Sequence, residues 1–297
     1  MSSINITGSS VSTNVRIMDG LVFAYDCGNT RSFPYPVGSI PSAFPDYVKF
    51  INMMGGIIPS GAAEGSNITA SLELDSRGYK HLFSNGSQTS VAPLLENRSL
   101  TGSYVIADDG ISRPFFDAVM TSSKGFTIET IISTSVDSAN ITFMFGNGTD
   151  TGNEVDPGGN VGFLMGLLSG RPAAYMSYSS SVAPNRILLR NVGSMVTGSW
   201  AQITYTWNGN WGGTGTGSLY LNGDLLTFAT RSNSGYFNMS STSSTDPLFP
   251  FHGKWKTWGW RYSGFQGYQD SLFVYNKGLT AEEVKHNFNV QRRKYNL

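Results

Sequence analysis

Gly198-Ser-Trp200-Ala-Gln-Ile-Thr-Tyr-Thr-Trp207, followed by Ser218-Leu-Tyr-Leu-Asn222-Gly223-Asp-Leu-Leu226, decides the fold. The first run alternates with period two: Ala201, Ile203 and Tyr205 fall on one side, Trp200, Gln202, Thr204 and Thr206 on the other. The second breaks at Asn222-Gly223, the strongest short hairpin signal, because both residues tolerate positive φ. Working outward, Phe126-Thr-Ile-Glu-Thr-Ile-Ile132 sets Phe126, Ile128, Thr130 and Ile132 on one face. Ile141, Phe143 and Phe145 alternate likewise, and Val161–Leu168, Ala174–Tyr178 and Ile187–Leu189 read as further strands. Leu21–Tyr25, Val48–Ile51, Ser71–Leu74 and Tyr104–Ala107 are shorter candidates, while Pro34, Pro36, Pro41 and Pro45 mark a loop over residues 31–46. The run Gly212-Gly-Thr-Gly-Thr-Gly217 reads as a hairpin loop.

One helix is expected, at the C-terminal end. Thr280 is a good N-cap, Glu283 completes a capping box, and Val284 and Phe288 share a face. Arg292, Arg293 and Lys294 suit the negative end of the helix dipole. Many short strands, Gly-rich turns and one terminal helix predict an all-β protein: an antiparallel β-sandwich of jelly-roll type with a short C-terminal helix packed on its edge. Residues 1–18 are polar and read as an N-terminal arm; residues 19–297 form the domain, whose outward surface is left for contacts.

Composition narrows the partners. The chain carries 20 basic and 20 acidic residues, and only 13% of residues are charged. A neutral Ser/Thr/Asn/Gly surface offers no attraction to phosphate backbones or anionic lipid, so neither nucleic acid nor membrane is expected as a partner. Low charge also lets copies pack side by side, which suits a homo-oligomer. Cys27 is the single cysteine, so no intrachain disulfide forms. The opening MSSINITGSS lacks a basic n-region and an apolar h-region, so synthesis in a reducing cytosol is expected. The seven N-x-[ST] sequons then follow from composition rather than from glycosylation.

Four segments, taken together, resemble the laminin-G-like branch of the concanavalin A-like lectin/glucanase superfamily. They are Gly125–Ile132, Gly198–Tyr205, Ser218–Gly223, and Phe265-Gln-Gly267-Tyr-Gln-Asp270-Ser-Leu-Phe-Val-Tyr275-Asn-Lys-Gly-Leu279-Thr-Ala-Glu-Glu283. Asp19-Gly-Leu-Val-Phe-Ala-Tyr-Asp26-Cys-Gly-Asn29-Thr-Arg-Ser-Phe33 is similar to the opening of such domains in tailed-phage structural proteins. Residues 35–100 do not match the family pattern.

The resemblance raises three chemistries. Glycanases of this fold present Glu-x-Asp-x-x-Glu on one strand, putting alternate carboxylates on the concave face. Here Glu73-Leu-Asp75-Ser-Arg-Gly78 lacks the second glutamate, so no catalytic residues are assigned and an enzyme is not expected. His81, His252 and His286 fall in no triad context, and no zinc motif occurs. Calcium is the metal that related domains hold at the sheet rim through hard oxygen ligands. Its candidate ligands are Asp270, Asp26 and Asp108, and Asp270 alternatively satisfies backbone donors in a turn. The densest aromatic stretch contains Trp258, Trp260 and Tyr262, with Trp207, Asn208, Asn210 and Trp211 as a neighbouring loop platform. These rings pack a core, anchor a protein interface or stack on sugar; as a carbohydrate site the candidates are Trp211, Trp258, Trp260 and Tyr262.

These readings combine into a non-enzymatic virion structural protein, such as a capsid-decoration, head-fibre or tail-appendage subunit, in which the arm docks on other virion proteins and the sandwich contacts host-surface glycan. A carbohydrate-binding lectin-like module is the alternative, and a glycan hydrolase the second.

Overall fold

The computed structural model describes residues 15–26, 28–29, 48–49, 60–61, 70–74, 79–85, 124–134, 141–149, 161–177, 186–193, 196, 198–209, 213–232, 234–237, 249–250, 252–256, 260–264 and 266–297. Its strands in chain order begin with β1 (Leu21–Asp26), β2 (Val48–Lys49), β3 (Ser60–Gly61), β4 (Ala70–Leu74), β5 (Lys80–Asn85), β6 (Phe126–Ser133), β7 (Ile141–Thr149), β8 (Val161–Leu168), β9 (Arg171–Ser177) and β10 (Arg186–Asn191). They continue with β11 (Trp200–Gly209), β12 (Gly213–Leu221), β13 (Asp224–Leu225), β14 (Phe228–Ser232), β15 (Ser234–Phe237), β16 (Phe249–Pro250), β17 (His252–Lys256), β18 (Trp260–Gly264) and β19 (Gln266–Tyr275). The helix α1 (Ala281–Tyr295) follows. The expected strand at Tyr104–Ala107 and the loop at 31–46 lie outside the described residues.

The first sheet runs β13-β12-β11-β6-β19-β5-β4, with β1 beside β19 and β15 beside β12. The second runs β14-β10-β9-β8-β7-β17-β18, with β16 beside β7. Pairing is antiparallel apart from the parallel contact of β7 with β17. This is the expected antiparallel sandwich of jelly-roll, concanavalin A-like type.

The alternation read from sequence builds the interior. Phe126, Ile128, Ile132, Ala201, Ile203, Tyr205 and Trp207 from the first sheet are buried, as are Phe163, Met165, Leu167 and Leu189 from the second. Phe126 meets Phe163 edge-on at 5.6 Å between ring centres, and Phe163 meets Tyr205 at 5.1 Å. Burying each such ring stabilises the fold by about 2–3 kcal/mol. Burial also pushes the Tyr205 hydroxyl well above its ordinary pKa, so it stays neutral in the core.

Two expectations are corrected here. The run 213–217 is not a loop: it forms the start of β12, paired with β11 and β15. Its glycines serve packing, because a Cβ on Gly215 would lie 2.4 Å from the Trp207 ring and one on Gly217 would lie 2.7 Å from the Tyr205 hydroxyl. Trp207, expected in a loop platform, fills that space and is only 1% exposed.

The helix also differs from expectation. Rather than sitting at the edge, α1 lies across the outer face of the first sheet. Val284 joins Leu21 and Ala24 of β1, Tyr220 of β12 and Phe273 and Tyr275 of β19 in a second apolar cluster, with Ile17 packed against it. The outward-pointing Thr127, Glu129, Ile131, Gln202, Thr204 and Thr206 are therefore buried as fully as their inward neighbours. Arg16 and Ile17, which the sequence reading placed in the arm, pack on this cluster.

Candidate functional site

Three places bear on chemistry. The first is the polar centre of the layer under α1. Arg16 pairs through Nη1 with Glu129 and donates to the Tyr275 hydroxyl at 2.9 Å. Its guanidinium carbon lies 3.6 Å from the centre of the Phe273 ring. From the helix, Asn287 Nδ2 donates to Glu129 and to the Tyr275 hydroxyl, both at 3.0 Å. The Arg16 and Glu129 side chains are 9% and 1% exposed. Burial pulls the Arg16 guanidinium down, but Glu129 and Tyr275 more than offset this and hold it above its ordinary value. Burial, then the negative charge of Glu129, pushes the Tyr275 phenol well up, and Arg16 draws it back only in part.

No reading of the sequence singled out Arg16 or Tyr275. Glu129 carried a signal: it is the one carboxylate in β6, a strand otherwise made of Phe, Thr, Ile and Ser.

The second place contains two of the three calcium candidates. Asp270 sits at the irregularity of β19 between Gln269 and Ser271 and is fully buried. Asp26 closes β1. The structure brings the two together through Lys294, whose Nζ donates to Asp26 and Asp270 at 2.8 Å each. The Tyr295 hydroxyl also donates to Asp270. Gly28 N donates to Asp26 Oδ1 at 2.9 Å, and Asn29 N donates to the Asp26 carbonyl at 3.0 Å. Gly28 lies close to the same ammonium: a Cβ there would come within 2.7 Å of Lys294 Nζ. The cation between these carboxylates is the chain's own. Among the described residues, no group of three or more His, Cys, Asp and Glu side chains converges as a metal ion requires. Asp108 lies outside them.

The third place is the β17–β18 hairpin. Trp260 and Tyr262 lie on β18, opposite Lys256 and Lys254 of β17 in register, and β18 forms the end of the second sheet's strand order. Trp258 precedes β18 in the chain, and Trp211 falls between β11 and β12; both lie outside the described residues. Glu73 of the failed glycanase motif is on β4, opposite His81 of β5. Asp75 is outside the described residues.

With this geometry in place, comparison with known proteins is informative. Residues 101–285, more than half of the chain, match the family described as the concanavalin A-like lectin/glucanases superfamily. No curated protein matches the chain. Solved structures that are similar include the Ruminococcus gnavus IT-sialidase CBM40 bound to alpha2,3 sialyllactose, at 15% identity and a TM-score of 0.43 over 59% of this chain and 88% of that one. Domain 4 of AbnA, a GH43 extracellular arabinanase from Geobacillus stearothermophilus, in complex with arabinotriose, is 15% identical with a TM-score of 0.42 over 89% of this chain and 96% of that one. A mutant Trypanosoma rangeli sialidase with trans-sialidase activity is 12% identical with a TM-score of 0.44 over 92% of this chain and 33% of that one.

Proposed function

The chain belongs to the concanavalin A-like lectin/glucanases superfamily, and from this premise we propose that it is a lectin-like module that binds carbohydrate without cleaving it. The observation that carries this reading is the state of the buried carboxylates. A glycanase needs two carboxyl groups flanking an accessible glycosidic bond. Among the described residues, Glu129 and Asp270 are the buried carboxylates. Each is tied to its own basic partner, Arg16 or Lys294, beneath or at the end of α1.

Recognition then falls to the far sheet. Trp260 and Tyr262 fall on β18, at the end of the second sheet's strand order, Trp258 just precedes it in the chain, and aromatic faces stack on the apolar faces of sugar rings. A glycan array tests this, comparing the unaltered protein with Trp260→Ala, Tyr262→Ala, Trp258→Ala and Trp211→Ala. Binding to a defined glycan class, lost at least about tenfold in a variant that keeps its near-UV circular dichroism, supports the module. Binding to no glycan, or equal binding by all variants, removes it.

A second reading rests on the likeness of Asp19–Phe33 to the opening of phage structural domains. In it the module is a subunit of a phage or virus particle, carried in several copies and presenting its glycan-binding edge to a host surface. Co-sedimentation with intact particles at fixed stoichiometry supports that setting, and absence from purified particles excludes it.

A further inference from the structure

We propose that the layer between α1 and the first sheet holds a guanidinium-binding site, filled by Arg16, and that residues 15–17 form a strap whose occupancy of that site keeps α1 closed on the sheet. This goes beyond carbohydrate binding and does not depend on it.

The site has the parts that recognise a guanidinium: a carboxylate (Glu129), a hydroxyl (Tyr275) and an aromatic face (Phe273). It is assembled from both layers, because Asn287 of α1 donates to the same Glu129 and Tyr275 oxygens that Arg16 uses. The strap's backbone is bound to the helix and to the sheet. Ile17 N donates to Asn287 Oδ1 at 2.9 Å, the Tyr275 hydroxyl donates to the Ile17 carbonyl at 3.2 Å, and His286 Nε2 lies 2.7 Å from the Val15 carbonyl. Arg16 Nη2, Gln202 Oε1, Thr206 Oγ1 and Ser271 Oγ are buried without a hydrogen-bond partner, which weighs against closure. With Arg16 withdrawn, Glu129 becomes an unpaired buried charge, and lifting α1 to admit water is the direct relief.

Hydrogen exchange on the full chain tests the proposal. In Arg16→Ala, amides of α1 are expected to exchange about tenfold faster or more, while those of β8, β9 and β10 are unchanged. Guanidinium chloride, kept well below denaturing concentration, is expected to restore α1 protection in Arg16→Ala, whereas sodium chloride at equal ionic strength does not. The double variant Arg16→Ala/Glu129→Gln should not respond to guanidinium. Unchanged α1 exchange in Arg16→Ala, or equal effects of the two salts, overturns the proposal. Should Arg16→Ala not fold, Arg16→Lys keeps the charge but loses the planar group stacked on Phe273; α1 exchange equal to that of the unaltered protein would then overturn it.

Discussion

Lys294, in the last turn of α1, holds the fully buried Asp270 of β19 at 2.8 Å while also bonding Asp26 at the end of β1. One ammonium thus joins the helix, a central strand and its neighbour, and with Tyr295 it fixes the helix's C-terminal half. Lys294→Met removes this ammonium from the buried Asp270, and removal of one partner from a buried pair costs about 3–5 kcal/mol. Asp270→Asn keeps a hydrogen-bonding side chain and should cost less, about 1–3 kcal/mol. The double variant is expected to be less damaged than the sum of the singles, by 1 kcal/mol or more on the order of coupled pairs. Urea unfolding of all four proteins measures this, and strict additivity would show that the contact contributes nothing.

Gly125 and Gly198 share a backbone conformation, with φ of +74° and +68°, but differ in surroundings. A Cβ at Gly125 would lie 1.9 Å from the Trp207 carbonyl oxygen; one at Gly198 meets nothing within 4 Å. Gly198→Ala therefore bears only the left-handed strain, about 1–2 kcal/mol. Gly125→Ala adds a clash with strand backbone and should exceed about 4 kcal/mol, in the range kept for disrupted cores. Thermal unfolding separates them, and equal losses would mean that the approach of Gly125 to β11 does not constrain the fold.

Period two and turn chemistry made the sandwich legible. The alternation in β6 and β11 is local, and Asn222-Gly223 does take positive φ at both residues, 54° and 77°. The capping box at Thr280 is local too. What could not be read depends on contacts between residues far apart in the chain. The Glu129 face of β6 looked solvent-facing because its cover, α1, lies far along the chain: Asn287 is 158 positions from Glu129. Arg16 is separated from Glu129 by 113 positions, and nothing in its own neighbourhood marks it as buried. The glycines of β12 looked like a loop because composition does not reveal that Trp207 and Tyr205 occupy their missing side-chain space. Asp270 was read as a calcium ligand or a turn acceptor, and its pairing with Lys294 was not legible because α1 lies beyond it in the chain.

The capping box offers a local test of how α1 is started. Thr280 Oγ1 accepts from Glu283 N at 3.2 Å, and Thr280 N donates to Glu283 Oε2 at 2.9 Å. Thr280→Ala removes the first bond and should lower stability by about 1 kcal/mol. Exchange at the amides of the first turn should rise more than exchange at the last, which Lys294 and Tyr295 still hold. A loss confined to the helix C-terminus would contradict this division.

The Asp19–Lys277 pair sets a pH dependence at the start of the domain. Lys277 Nζ donates to Asp19 at 2.7 Å and to Glu283 at 2.9 Å. The hydrogen bond from Lys277, then its charge, holds the Asp19 carboxyl below its ordinary value. Burial pulls the Lys277 ammonium down, but Asp19 and Glu283 together leave it raised. Because Asp19 is lowered on folding, its support is complete above its unfolded value of about 3.9 and is lost as pH falls through the lower folded value. Because Lys277 is raised, its support is complete below about 10.4 and is lost as pH rises through the higher folded value. The pair should therefore contribute evenly across the neutral range and fade at both extremes. NMR titration of the Asp19 carboxyl at low salt should give a midpoint below that of an ordinary aspartate, returning upward in Lys277→Ala. A midpoint that Lys277→Ala leaves in place would mean that the contact is absent in solution.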